Sequence, residues 1–149
     1  MVEPGGTASE ATSAVRALVG MARMLEHVCS ELTLPQYRLL VMVASGDCRA
    51  TRLAGRLALS KPTVTAVVDG LVERRLLARS EVAGDRRAVQ LSLTDAGTAA
   101  LAATERAMVE RLSQVLARCD DPGVALAGLG QLEDAITRVV LARMAEGSR

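Results

Sequence analysis

The segment VAGDRRAVQLSLTDAG, residues 82–97, places one aspartate and two arginines between two stretches that resemble strands. A guanidinium group binds phosphate or carboxylate oxygens, and a nearby carboxylate can orient it before it binds. Arginine is also favoured in the narrow minor groove of A·T-rich duplex DNA. We therefore expect Asp85 and Arg87 to form a pair on a hairpin tip, with Arg87 in a minor groove and Arg86 on phosphates. The alternative is an ordinary solvated turn, because Gly-Asp is common in turns.

A second polar cluster opens the helix predicted for KPTVTAVVDGLVERR, residues 61–75. Only three residues separate it from the short helical stretch ATRLAGRL, and this spacing predicts a helix-turn-helix. Ser60 is expected to cap the second helix, and Pro62 suits its first turn. The residues expected to face a core are Val64, Val67, Val68 and Leu71, and those left outside are Thr63, Thr65, Ala66 and Asp69.

The small outward side chains suit a helix that enters the major groove of DNA. A helix amino terminus also carries partial positive charge, so we expect Ser60, Lys61 and Thr63 to contact phosphates. Thr65 can contact base edges or a thymine methyl group. An ordinary surface helix is the alternative interpretation of this pattern.

Positive charge is concentrated in the middle of the chain. The 149 residues carry 18 Lys and Arg against 17 Asp and Glu, a formal net charge of +1. Between Arg49 and Arg87, nine basic residues accompany four acidic ones, which gives +5 there and −4 in the remainder. Attraction to DNA phosphates requires such clustering. Because Tyr37 is the only aromatic residue, and single-strand binding uses several aromatic side chains, the expected partner is duplex DNA.

The sequence lacks the residue sets that most enzymes need. No nucleophile is paired with a base, no glycine loop could bind phosphate, and no Cys/His set could ligate a metal. His27 and Cys29 would point in different directions on a helix. We therefore expect no catalytic residue, no metal and no cofactor.

Cellular location follows from three features. The sequence contains no run of 18 apolar residues, the length that could span a membrane, and its first residues resemble no secretion signal. The three cysteines form no Cys-x-x-Cys pair, which suits a reducing compartment. The sequence thus predicts a cytoplasmic protein without membrane contact.

Apolar residues at spacings of three and four predict further helices on both sides of this segment. One helix is expected at about 13–32, a second behind the cap Thr33, and a long third from the cap Thr94 to about Arg118. The stripe of the last helix contains Leu129, Leu132, Ile136, Val139 and Val140. Residues 1–12 are predicted to be a disordered tail. The stripes exceed what a small winged domain needs to cover, so we expect a two-fold homodimer; a monomer that buries them internally is the alternative.

From LTLPQYRLLVMVA through RLAGRLALSKPTVTAVVDGLVERRLLARSEVAGDRRAVQLSLTDAG, the chain resembles the MarR family of bacterial winged-helix transcription regulators. The DRR cluster followed by LSLTDAG is the most specific element. The resemblance implies a mainly α (α+β) fold, a winged helix-turn-helix with flanking dimerisation helices. It divides residues 13–149 into a DNA-binding lobe at about 35–94, here called the winged lobe, and dimerisation helices at about 13–32 and 95–146.

The resemblance also implies a function, a DNA-binding regulator that acts most often as a repressor on a pseudo-palindromic operator. Leu53 and Ala54 would belong to its scaffold. Taken with the residue patterns, it gives these candidate DNA contacts: Arg49, Thr51, Ser60, Lys61, Pro62, Thr63, Thr65, Arg74, Asp85, Arg86 and Arg87.

The signal that such a regulator would answer stays open. Some members of the family bind small phenolic or lipophilic effectors between the dimer helices and the DNA-binding lobe, and others sense oxidation of a cysteine. Cys29 is expected to be a buried and inert residue of the apolar stripe, whereas Cys48 and Cys119 lie in polar surroundings. A winged-helix module for non-specific DNA binding or for protein contact is the remaining alternative.

Overall fold

The computed structural model describes residues 8–29, 31–46, 53, 57, 59–82 and 85–146, without the side chains of 81, 82, 85–89 and 143–146. The helices are α1 (Ala8–Val28), α2 (Leu34–Ala44), α3 (Lys61–Glu73), α4 (Asp95–Leu116) and α5 (Pro122–Glu146). The strands are β1 (Leu77–Val82) and β2 (Asp85–Leu93), which form a two-stranded antiparallel sheet. This mainly helical architecture with one hairpin after α3 confirms the predicted winged-helix fold.

Thr33 caps α2, as the sequence predicts. Its Oγ1 accepts a hydrogen bond from the Gln36 N–H at 3.4 Å, and the Gln36 Oε1 accepts one from the Thr33 N–H at 3.0 Å. This reciprocal capping box satisfies two backbone donors that a helix end otherwise leaves free. The helix stops before Gly46, whose φ of +92° suits a glycine at this turn.

A single apolar core lies between α2, α3, the hairpin and the first half of α4. Leu53 and Leu57 are helical and fully buried, which confirms that the short stretch before α3 turns these two leucines inward; Ala54 lies outside the described residues. The other buried members are Leu32, Leu39, Leu40, Val43, Val64, Val68, Leu71, Leu76, Leu77, Leu91, Ala100 and Leu101.

The hairpin pairs Leu77 with Leu93 and continues to Val82 opposite Asp85, with a register shift between Glu81 and Val82. The sequence pattern predicts Asp85 in the connecting loop. Asp85 instead begins β2, two residues before the stretch RAVQLSL, residues 87–93, that the alternating apolar pattern predicts as a strand. Pairing with β1 supplies hydrogen bonds that do not depend on the strand propensity of Asp85 or Arg86.

A tight corner joins α3, the hairpin and α4. Arg75 has a φ of +57°, and the Leu76 N–H donates to the Leu71 carbonyl at 2.9 Å. Helix α3 therefore ends in a Schellman motif, in which Arg75 is the residue with the left-handed backbone conformation. Thr94, confirmed as the cap of α4, donates from Oγ1 to the Arg75 carbonyl at 2.7 Å and accepts from the Gly97 N–H at 2.9 Å. A Cβ on Gly97 would lie 2.0 Å from the Leu76 carbonyl oxygen, so only glycine fits here.

The terminal helices differ from this core. Helix α1 begins at Ala8, so residues 8–12 are helical and not the disordered tail that the sequence predicts. It ends at Val28, and Leu32 is buried after it, outside the helix. Neither α1 nor the part of α5 whose side chains are described contains a buried residue. Their apolar residues therefore lie on the surface of this single chain.

Candidate functional site

The two faces of α3 differ as its sequence predicts. Val64, Val68 and Leu71 are buried, and Val67 is half-buried against the core. The opposite face is exposed along its length; its residues are Thr63, Thr65, Ala66 and Asp69. Since small side chains occupy the first two turns of that face, α3 presents a surface that fits within a major groove.

Ser60 caps α3 through a compact set of hydrogen bonds. Its Oγ accepts from the Thr63 N–H at 3.2 Å and shares a 2.7 Å hydrogen bond with Thr63 Oγ1, while its carbonyl accepts from the Val64 N–H at 3.0 Å. Pro62 has no N–H to offer. The backbone donors of Thr63 and Val64 are thus used by the cap, and an anion at this end would meet mainly side chains and Lys61.

Thr65 makes a bond within its own helix. Its Oγ1 donates to the Lys61 carbonyl at 3.0 Å. The hydroxyl hydrogen is therefore occupied, while the oxygen can still accept a hydrogen bond and the methyl group can make an apolar contact. A thymine methyl group or a donor on a base edge would match what Thr65 retains.

The structure groups some of the candidate residues and separates others. Ser60, Lys61, Pro62, Thr63 and Thr65 share the first turns of α3 and are all exposed. Arg74 lies at the other end, at the C-cap, which the helical rise puts about 20 Å away. Asp85, Arg86 and Arg87 lie in β2, with side chains outside the described residues. Arg49 and Thr51 also lie outside the described residues.

Two interactions at this surface are not predicted from the sequence. Asp69 Oδ1 and Arg79 Nη2 form an ion pair that joins α3 to β1. Arg74 Nη1 donates to Gln36 Oε1 at 3.5 Å, which joins the end of α3 to the start of α2. Both pairs connect residues on different elements, so no spacing rule within one helix or strand could have revealed them.

The cysteines differ in exposure. Cys29 is half-buried, and its thiol donates to the Leu25 carbonyl at 3.1 Å. Burial raises the pKa of this thiol, and the Glu26 carboxylate adds to the rise. A raised pKa lowers the thiolate fraction and with it the reactivity towards oxidants. Cys119 is exposed three residues beyond the end of α4, and Cys48 lies outside the described residues.

Two surface clefts flank the long helices. A cleft of about 270 Å³ lies between α2 and α5; its lining includes Tyr37, Arg38, Val41, Met42, Ile136 and Val140. Burial raises the pKa of Tyr37, and the Glu105 carboxylate and Cys29 raise it further, so its hydroxyl keeps its proton at neutral pH. A second groove of about 490 Å³ between α1 and α4 is lined by Gly20, Arg23, Met24, His27 and Arg111.

None of the helices in the described part of the chain combines the length and the hydropathy that a membrane crossing requires. Within the same residues, no group of three His, Cys, Asp or Glu side chains could hold a metal ion.

Comparison with known proteins places this architecture among transcription regulators. The model of the MarR family matches residues 30–88, the segment that contains α2, α3 and most of the hairpin. No curated protein gives a match.

Solved structures are similar over nearly the whole chain. The transcriptional repressor CouR, solved bound to a 23-mer DNA duplex, is 26% identical, with 91% of this chain and 99% of CouR covered and a TM-score of 0.73. A probable transcriptional regulator from Pseudomonas aeruginosa is 27% identical, with coverages of 87% and 95% and a TM-score of 0.64. Wild-type MarR from E. coli, in its apo form, is 18% identical, with coverages of 90% and 98% and a TM-score of 0.70, and supports the fold alone.

Proposed function

We propose that this chain is a DNA-binding transcription regulator of the MarR family rather than an enzyme, and that it acts in the cytoplasm as a homodimeric repressor. Each protomer would place the start of α3 in a major groove and the tip of its hairpin in the adjacent minor groove. Two such lobes, related by a two-fold axis, would read a pseudo-palindromic operator in successive major grooves about 34 Å apart.

One observation carries the proposal: the exposed face of α3 opens with small polar side chains, and its opposite face is fixed in the core. Ser60, Lys61, Pro62, Thr63 and Thr65 are exposed together, whereas Val64 and Val68 are buried behind them. We assign phosphate contacts to Ser60, Lys61 and Thr63, and a base contact to Thr65. The remaining contacts that we propose are Arg49, Thr51, Arg74, Asp85, Arg86 and Arg87.

Exposed apolar side chains support the homodimer. Four apolar side chains are each more than half exposed in a single chain: Val15, Val19, Ile136 and Val139. Exposed apolar patches of this kind mark interaction surfaces, and a second protomer would bury them. We therefore divide the chain into the winged lobe at about 35–94 and dimerisation helices on either side, now with a first helix that begins at Ala8.

The proposed repressor would be released by a small lipophilic or phenolic molecule. The cleft between α2 and α5 lies between the winged lobe and a dimerisation helix, and it combines the apolar Val41 and Met42 with the polar Tyr37 and Arg38. Its size is near the lower limit for small-molecule pockets. Redox sensing by Cys29 is disfavoured, because burial raises the pKa of this thiol.

Selection of a duplex from a random-sequence pool, followed by titration at several salt concentrations, tests this function. We expect the wild-type protein to prefer the selected duplex over unrelated DNA by roughly 10³-fold or more. Arg87→Ala should weaken binding, and it should lower the salt slope by about one for each phosphate that Arg87 neutralises in the wild-type complex. Thr65→Ala should change the sequence preference more than the salt slope.

The other interpretations of this fold make different predictions in the same assay. A DNA-packaging module would bind selected and unrelated duplexes equally, and a protein-interaction module would bind neither. Addition of a simple phenol, p-cresol, to the complex tests the effector: release by p-cresol that Met42→Trp abolishes would place it in the α2–α5 cleft. Release that is unaffected by Met42→Trp would count against that site.

A further inference from the structure

The ion pair between Asp69 and Arg79 lies at the junction of the two elements that we propose to contact DNA. Asp69 follows Thr65 by four residues, so both side chains lie on the same exposed face of α3. Arg79 belongs to β1, ten residues further along the chain. The pair therefore connects the proposed reading helix to the proposed wing.

The register of the hairpin explains how Arg79 reaches α3. Arg79 lies opposite Leu91, and directly opposed residues point to the same side of a sheet. Leu91 is fully buried, as is Leu77, two residues before Arg79 on the same strand face. The Arg79 side chain thus leaves the hairpin on its core-facing side, just beyond the edge of the core, and meets Asp69 there.

Neither partner is sequestered from solvent. The side chains of Arg79 and Asp69 are 42% and 54% exposed, and ion pairs of such exposure contribute little to stability. The contact with Asp69 engages Nη2, whereas a guanidinium carries five N–H donors. Arg79 therefore keeps donors for another anion while its long side chain is held in one conformation.

Duplex geometry identifies that anion. A major groove and the adjacent minor groove are separated by one sugar-phosphate strand. If α3 occupies the first groove and the hairpin tip the second, this strand must pass the junction between them, where Arg79 lies. An unpaired carboxylate at Asp69 would repel the same phosphates, and the ion pair removes this repulsion.

We propose that Arg79 binds the phosphate strand that runs between the two grooves, and that Asp69 is the positioning residue that holds its guanidinium there. This inference rests on the proposed docking of α3 and the hairpin. It adds to the interface a phosphate contact that is fixed before DNA arrives, so the side chain gives up less entropy on binding.

Salt-dependent titration of the full-length protein with its selected duplex tests the role of Arg79. Arg79→Gln should weaken binding roughly tenfold and lower the salt slope by about 0.9 for each protomer. Arg79→Lys keeps the charge and should restore the slope. The matched control is Arg118→Gln, which removes an exposed arginine beyond the far end of α4 and should leave the slope unchanged. Equal salt slopes for Arg79→Gln and Arg118→Gln would show that Arg79 contacts no phosphate.

Asp69→Asn tests the positioning role, because it removes the carboxylate charge with little change of shape. We expect binding to the selected duplex to weaken about threefold, and this effect to disappear in the Arg79→Gln background, as a double-mutant cycle measures. Tighter binding of Asp69→Asn to selected and unrelated duplexes alike would show that Asp69 only repels DNA. Unfolding midpoints should stay at the wild-type value in all variants. If the wild-type protein itself prefers no duplex, the proposed function fails before this inference is reached.

Discussion

Seven leucines, six of them in the winged lobe and the seventh (Leu32) just before it, are less than 2% exposed, whereas the apolar residues of α1 and α5 lie largely in solvent. Twelve large apolar side chains are exposed in the described structure, and eleven of these lie in the two terminal helices. Burial of one such side chain contributes about 1.5–3 kcal/mol. The winged lobe therefore completes its core within one chain, whereas most large apolar side chains of the terminal helices stay uncovered in a single chain.

The largest expected effect comes from placing a charge in the exposed apolar stripe of α5. Leu132→Asp should dissociate the proposed dimer, because a two-fold axis would bring a carboxylate from each protomer into one apolar interface. Affinity for the selected duplex should fall by about 10²-fold or more, since two linked lobes bind far more tightly than one. Sedimentation equilibrium and fluorescence anisotropy measure the two effects.

Gln131→Asp is the matched control for this change. It adds the same charge at the neighbouring position, which lies off the apolar stripe of α5 and is exposed. This variant should remain dimeric with unchanged affinity. A dimer that survives Leu132→Asp would show that the exposed stripe of α5 is not the interface.

The next effect concerns the contact between the start of α4 and the winged lobe. Gly97→Ala would place a Cβ 2.0 Å from the Leu76 carbonyl oxygen, and the backbone must move to relieve the overlap. We expect a destabilisation of about 3 kcal/mol, which lowers the Tm by roughly 10 °C, as thermal unfolding followed by circular dichroism would measure.

Gly70→Ala, within α3, provides the contrast to Gly97→Ala in α4. No atom lies within 4 Å of the Cβ that it would add, so the helix propensity of alanine should stabilise α3 by up to about 1 kcal/mol. Equal Tm shifts for the two variants would contradict the close approach of α4 to Leu76.

The smallest effect comes from local strain at the end of α3. Arg75 has a φ of +57°, a conformation that costs an L-residue about 1–2 kcal/mol. Arg75→Gly relieves this cost, and the entropy of glycine in the unfolded chain offsets part of the gain, so we expect stabilisation by about 0.5–1 kcal/mol in urea unfolding. Arg74→Gly, one residue earlier at a φ of −75°, should destabilise the protein instead. The opposite order would mean that the corner at Arg75 is not strained.

The parts of the fold that are predictable from sequence are those set by local chemistry. Thr33, Ser60 and Thr94 are each identifiable as helix caps, because a hydroxyl that bonds a backbone N–H three residues later leaves a signature within one turn. The buried and exposed faces of α3 follow from its periodicity in the same way.

Sequence-based expectations fail where helix propensity outweighs a small and polar composition, or where contacts between distant residues outweigh the local pattern. Residues 8–12 are expected to be a tail because they are small and polar, yet alanine and glutamate are good helix formers. Asp85 is expected in a loop, and its pairing with Val82 on the neighbouring strand places it in β2. The Asp69–Arg79 pair and the fit of Gly97 against Leu76 depend on packing between elements, which the spacing of residues along the chain does not encode.

The corner at Thr94 has a mechanical consequence. Its hydroxyl bonds the Arg75 carbonyl and its N–H bonds the Leu76 carbonyl at 3.2 Å, while Gly97 permits direct backbone contact, so α4 and the end of α3 should move as one rigid arm. Over the roughly 33 Å length of α4, a tilt of about 10° displaces one end relative to the other by about 6 Å. In a two-fold assembly, a small tilt imposed at the far end of each α4 would change the distance between the two α3 helices without unfolding either lobe.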